Sequence, residues 1–193
     1  MDLKAIFKDC KSLWDLYQML PNIREHSLVV AEVAFFIGKR LTEVKNSLSL
    51  ETVVRGALMH DIAKGISLKT GEDHCKLGRE ICERHGLWKI GEIVEEHVRL
   101  KELPAQGQIR EKHIVCYADK RVMHNKVVSL EERLSDILLR YAQGRPDGRE
   151  RILQNFSLAK RLEELIFQSL GIKPLDLQAF LEEERPLWNL MEE

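Results

Sequence analysis

An all-α fold is what this sequence predicts, and three observations carry it. Apolar residues recur at three- and four-residue steps through most of the chain. No alternating strand pattern of useful length appears, and no internal repeat or low-complexity tract interrupts the periodicity. Turn and capping residues punctuate the periodic segments.

Taken in order, Leu3, Ile6, Phe7, Cys10, Leu13, Trp14 and Tyr17 make one apolar stripe of a first helix, which Pro21 ends. Asn22 with Glu25 predicts a capping box opening a second helix, with Leu28, Val29, Val33, Phe36, Ile37 and Leu41 inward. Ser49 is placed to cap a third, from about Leu50 to Lys64, with Gly65 ending it. Ser67, Thr70, Gly71 and Asp73 make the stretch from Ile66 to Asp73 read as a loop. Helices follow over His74 to His85, with Gly86 at the end, and over Trp88 to Val98. Pro104 and Gly107 mark a second loop. Ile109 to about Lys126, Leu130 to Ala142 and Ile152 to Leu170 are helical by pattern, and Pro174 and Pro186 bracket a short final helix. The strongest turn signal, Gly144-Arg145-Pro146-Asp147-Gly148, sets a boundary. Residues 1–143 hold every candidate for chemistry, and residues 144–193 form a C-terminal helical extension expected to pack on the same domain.

The 193 residues are enough to bury a core without disulfides. Lys plus Arg number 30 against Asp plus Glu 31, a formal charge of -1. That balance gives no electrostatic case for nucleic-acid or membrane binding, yet local cations or metals can still hold a small anionic substrate. Cys10, Cys75, Cys82 and Cys116 form no CxxC pair and read as buried free thiols. No signal-peptide pattern or membrane-length apolar run appears, so a reducing cytoplasmic setting is expected. Trp14, Trp88 and Trp188 read as packing residues, and a homo-oligomer is left open.

The chemistry rests on a set of side chains, because a lone histidine is more often structural than a ligand. His60 and Asp61 are adjacent at the C-terminal end of an apolar helix, and His26 lies early in the helix before it. Asp119 sits in the apolar run Val115-Cys116-Tyr117-Ala118, where an isolated carboxylate is costly to bury. Pairing with Lys120 or Arg121 is its structural alternative. Two imidazoles and two carboxylates suit Fe, Mn, Co, Zn or Ni. His74 and His97 extend the set to a two-metal constellation in which Asp61 is the carboxylate best placed to bridge. His85, His113 and His124 read as structural or surface residues.

In His26, the string His60-Asp61-Ile62-Ala63-Lys64, His74 followed by Gly78, His97, and Ala118-Asp119-Lys120, the chain resembles the HD superfamily of metal-dependent phosphohydrolases. The resemblance spans about residues 24 to 125 and is nearest, in motif, to bacterial HD-type hydrolases that cleave dinucleoside tetraphosphates symmetrically. It implies an HD-domain helical bundle with additional C-terminal helices. It also implies one metal on His26, His60, Asp61 and Asp119, and a second on Asp61, His74 and His97. The chain departs from two branches. No GYP follows the His-Asp pair, and Lys64 stands where mononuclear nucleotidases tend to have Glu.

The expected activity is cleavage of a phosphoester or phosphoanhydride in a nucleotide-like substrate by a metal-activated hydroxide. Asp61 and Lys64 are the catalytic candidates, and Lys64, Lys120 and Arg121 the candidates for binding phosphate. The alternative is a non-catalytic nucleotide-binding or signalling module on the same fold.

Overall fold

One helix is buried on every side through its middle, and the others are arranged around it. In the computed structural model, which describes the backbone of residues 1–44, 48–142, 146–183, 185–187 and 189–191 and the side chains there except at 106, 146, 180, 182, 183 and 191, that helix is α2 (Pro21–Val44). Every residue from His26 to Ala34 is buried. A helix buried all round must be covered on all sides. The covering elements are α3 (Leu50–Met59), α7 (Glu111–Lys120), α9 (Pro146–Leu170) and α10 (Leu177–Glu183).

The remaining helices complete the shell. α1 (Leu3–Leu16) lays Ile6, Phe7, Cys10 and Trp14 on α3, and the Trp14 indole donates to the Leu58 carbonyl at 2.9 Å. α4 (Lys64–Thr70), α5 (His74–Arg84) and α6 (Trp88–Glu96) follow, with α5 and α6 packed as a pair. α8 (Leu130–Tyr141) lies along α9, whose Phe156, Ala159, Leu162 and Ile166 join the same buried cluster as α2 and α3. The backbone amide of Leu187 donates to Glu32 on α2 at 2.7 Å, tying down the chain beyond α10. The fold is all-α apart from one tiny hairpin, β1 (Val122–Met123) with β2 (Lys126–Val127). Among the described residues no helix is long and apolar enough to cross a membrane.

Several local expectations are corrected. Helix α2 begins at Pro21 itself, and the Leu20 carbonyl accepts from Ile23 and Arg24, so proline at the first helical position replaces the Asn22–Glu25 box. Ser49 does cap α3, accepting from the Thr52 amide. That helix stops at Met59, five residues short of the expected end. Ile66 to Thr70 is helix, not loop, and the left-handed residue that ends it is Gly71 (φ 78°), not Gly65. Helix α7 ends at Lys120 because a tight hairpin follows, with His124 at φ 57°. Helix α9 opens at Pro146, so Pro146 to Gly148 are helical, whereas Gly144 and Arg145 lie outside the described residues. Trp88 is exposed rather than packed, and Trp188 also lies outside the described residues.

Two features yield tests. A Cβ on Gly78 would stand 2.6 Å from Val94 Cγ1, so the glycine sets the α5–α6 spacing. We expect Gly78→Ala to cost about 1–3 kcal/mol of unfolding free energy in a urea titration; an unchanged midpoint would contradict the tight contact. His113 is fully buried at the start of α7 and accepts from the Arg110 amide through Nδ1. Burial, aided by the charges of Lys112 and Arg110, pushes its pKa down to about 4 from 6.5. The unfolded chain therefore binds a proton that the folded chain refuses between those values, and stability falls as pH drops through that window. The slope from this group is at most about 1.4 kcal/mol per pH unit, and His113→Gln should flatten it.

Candidate metal centre

The six residues singled out from the sequence come from five helices, and most stand at helix ends. His60 follows the last residue of α3, His97 follows the last of α6, and His74 is the first of α5. The Asp73 side chain caps α5 by accepting from the Cys75 and Lys76 amides, and so holds His74 in place. Asp119 is the penultimate residue of α7, and His26 lies in the second turn of α2.

Adjacent residues on a continuous helix diverge by roughly 100°, yet His60 and Asp61 share a cavity. The chain achieves this by leaving the helix. Ile62 donates to the Met59 carbonyl and Lys64 to the Asp61 carbonyl, each at 3.0 Å, making a tight turn between α3 and α4. His60 Nε2 then lies 3.6 Å from Asp61 Oδ2 and 3.7 Å from Asp119 Oδ1. On the other side of Asp61, His74 Nε2 and His97 Nε2 stand 3.5 Å and 3.4 Å from Oδ1.

Three imidazoles are oriented by the same device. His60 Nδ1 donates to the Ala57 carbonyl at 2.7 Å, His97 Nδ1 to the Val94 carbonyl at 2.6 Å, and His26 Nδ1 to the His124 carbonyl at 2.8 Å. For His60 and His97 the acceptor is three residues back, in the last helical turn, where carbonyls lack intrahelical partners. With Nδ1 held by a carbonyl, Nε2 is the ring nitrogen that each histidine turns into the cavity.

The centre is nevertheless electrostatically incomplete. His26 Nε2 meets Asp119 Oδ1 at 3.0 Å. His60 Nε2 and Asp61 Oδ1 are fully buried with no hydrogen-bond partner. Burial drives the His60 pKa down to about 4, leaving its ring neutral. Burial also opposes ionisation of Asp61 and Asp119, but the surrounding groups outweigh it and keep both carboxyls well below their usual range: the His60 imidazole, the Lys64 ammonium and the His97 imidazole for Asp61, and a hydrogen bond from His26 with the His60 imidazole for Asp119. Despite burial, the contact with Asp61 in turn raises the His97 pKa well above its ordinary value. Imidazole nitrogens and ionised carboxylates converging on one buried space fit a divalent cation, which would replace any Nε2 proton and satisfy the unpartnered His60 and Asp61 atoms together. The same donors fall into the close groups His26–His60–Asp119 and His60–Asp61–His97.

The match to known proteins is consistent with this geometry. Residues 23–123, more than half of the chain, match the HD domain. The chain belongs to the HD-domain family. The family is one of metal-dependent phosphohydrolases, and the matched segment holds all six candidate ligands. An uncharacterized protein of Methanocaldococcus jannaschii is 29% identical over 147 residues, 69% of this chain and 86% of its own length. Ribonuclease Y of Pseudothermotoga lettingae is 32% identical over 65 residues, and that of Helicobacter pylori 36% over 64. These stretches are 34% and 33% of this chain but only 12% and 11% of the ribonucleases. No solved structure matches the chain.

Around the HD-domain centre the other expected residues are placed differently. Lys64 Nζ donates to Asp61 Oδ2 at 2.8 Å and stays 36% exposed, on the rim of the site. Lys120 is corrected: its ammonium is buried and donates to the carbonyls of His97 and Val98, each at 3.1 Å, and to Cys116. Three donors so occupied leave none for a phosphate. Arg121 is also corrected, because it turns away to Val128, Tyr117, Glu163 and the Pro174 carbonyl. Neither pairs with Asp119, so the structural alternative for that carboxylate falls too. Cys75 is half-buried, 3.7 Å from His74 Nε2, and only Cys10, Cys82 and Cys116 are fully buried thiols. Its helical step from His74 was the signal available. The centre opens into a cavity of about 400 Å³ walled by Ile137, Tyr141, Ile152 and Phe156 from α8 and α9, outside the HD match.

A ligand that binds only the folded state raises stability, by about 2.7 kcal/mol at a hundredfold excess over its dissociation constant. Manganese or zinc should therefore raise the melting temperature of the metal-stripped protein, and Asp61→Asn should remove most of that rise. A wild-type protein indifferent to both metals would contradict the ligand assignment.

Proposed function

We propose that this HD-domain protein hydrolyses a phosphoester or phosphoanhydride bond in a nucleotide-like substrate, using two divalent cations that share Asp61. The observation that carries the reading is the pair of unpartnered buried atoms. His60 Nε2 and Asp61 Oδ1 stand buried without partners, with Asp119, His74 and His97 close around them. Asp61 has histidines on both of its oxygens, the geometry a bridging carboxylate needs. Bound cations supply Lewis acidity at the phosphoryl oxygen and lower the pKa of water toward about 7.

The chain's own residues do the rest. His26, His60 and His97 each hold Nδ1 against a backbone carbonyl, which turns Nε2 into the cavity where a cation would take it in place of a proton. Lys64 holds a positive charge beside Asp61 at the mouth of the site, where a substrate phosphate oxygen arrives. Tyr141, Ile152 and Phe156 give the cavity an apolar wall suited to a nucleoside. The HDxAK and Ala-Asp-Lys strings make phosphoanhydride-linked dinucleosides natural members of the substrate panel.

Turnover of a nucleotide panel with manganese, iron, cobalt, nickel and zinc tests this. His60→Ala and Asp61→Ala should each lower turnover by more than about 100-fold, beyond the loss typical of outer residues around a metal. Full activity in both variants would rule the mechanism out. Binding without product release across all five metals would favour a binding module instead.

A further inference from the structure

The HD match ends at residue 123, but the cavity wall continues onto α8, where it carries an arginine that no sequence motif marked. Arg133 Nη1 donates to Asp136 Oδ2 at 2.9 Å, and the side chain is 13% exposed. Its Nε is buried without a hydrogen-bond partner, and the hydrogen bond that the guanidinium makes among the described residues leaves from Nη1. Nε and Nη2 form the side-on edge of a guanidinium, the edge that grips two oxygens of one phosphate. A buried donor left unmade costs free energy until something satisfies it.

Asp136 also fixes where this edge stands. Its other oxygen, Oδ1, accepts from Arg140 Nε at 2.7 Å. Arg140 Nη2 in turn donates to His124 Nε2 at 2.8 Å, and the His124 carbonyl holds the His26 imidazole. Arg133 is thus tied through α8 and the hairpin to a candidate metal ligand. The cavity consequently has two cationic stations. Lys64 stands beside Asp61, and Arg133 stands on the wall contributed by α8, with Asp136 neutralising only one of its edges.

We propose that Arg133 binds a second anionic group of the substrate, beyond the phosphoryl group at the metals, so that the preferred class carries at least two linked phosphates. This deepens the phosphohydrolase reading and rests on it. Engagement requires the guanidinium to turn enough to uncover Nε.

The test is calorimetric binding to full-length manganese-loaded protein of AMP and of the non-hydrolysable adenosine 5′-(α,β-methylene)diphosphate. The wild type should bind the diphosphate analogue at least about tenfold more tightly than AMP, as one bidentate charged contact allows. Arg133→Met should abolish that preference and leave AMP within about twofold. Arg133→Lys, which keeps the charge and answers the question if the methionine variant misfolds, should retain only part of it. A wild type that binds neither probe or does not distinguish them overturns the proposal. So do variants that keep the full preference, or that weaken both probes alike. Wild-type turnover, measured separately on the nucleotide panel, reports on the hydrolase reading, so the two ideas fail by different results.

Discussion

A carboxylate in the middle of a helical core is the constraint around which this protein is organised. Asp61 is 1% exposed, and an ionised carboxylate there is tolerable only if positive charge or donors surround it. Lys64 satisfies one oxygen at 2.8 Å, while the other, buried and without a hydrogen-bond partner, has His74 Nε2 and His97 Nε2 at 3.5 Å and 3.4 Å. A divalent cation between them would supply the positive charge that the site needs. The buried carboxylate, the orientation of the histidines and the candidate metal centre are therefore one problem with one solution.

The helices are cut to solve it. α3 and α6 both stop one residue short of a histidine, and each histidine bonds back to the last turn of the helix it ends. Buried Lys120, which donates to the His97 carbonyl, braces the end of α6 from α7. Gly78 lets α5 approach α6 closely enough for His74 and His97 to reach the same oxygen. Centre and scaffold are thus coupled: contacts that would pass for ordinary packing set the donor positions.

Much of this was legible in the sequence. The three- and four-residue periodicity gave the helices, Ser49 its cap, and the order of histidines and aspartates the HD family. What was not legible depended on partners distant along the chain. Gly65 read as a helix end because nothing local revealed the tight turn from His60 to Ala63, which starts a new helix. Lys120 and Arg121 read as phosphate ligands because a lysine beside a site looks the same whether it faces a substrate or, as here, backbone carbonyls more than twenty residues away. Arg133 was hidden for the converse reason. It sits in a charge-rich helix that reads as a solvated face, and only the packing of α8 on α9 turns it toward the cavity.

The central claim is that donors spread over nearly a hundred residues close on the same divalent cations. Diffraction from zinc-soaked crystals, recorded on both sides of the zinc absorption edge, tests it most directly. The account predicts an anomalous peak at about 2.0–2.1 Å from Nε2 of His26 and of His60, with Asp119 and Asp61 completing the shell. Anomalous density confined to the protein surface, with His26 Nε2 still directly against Asp119, would contradict it.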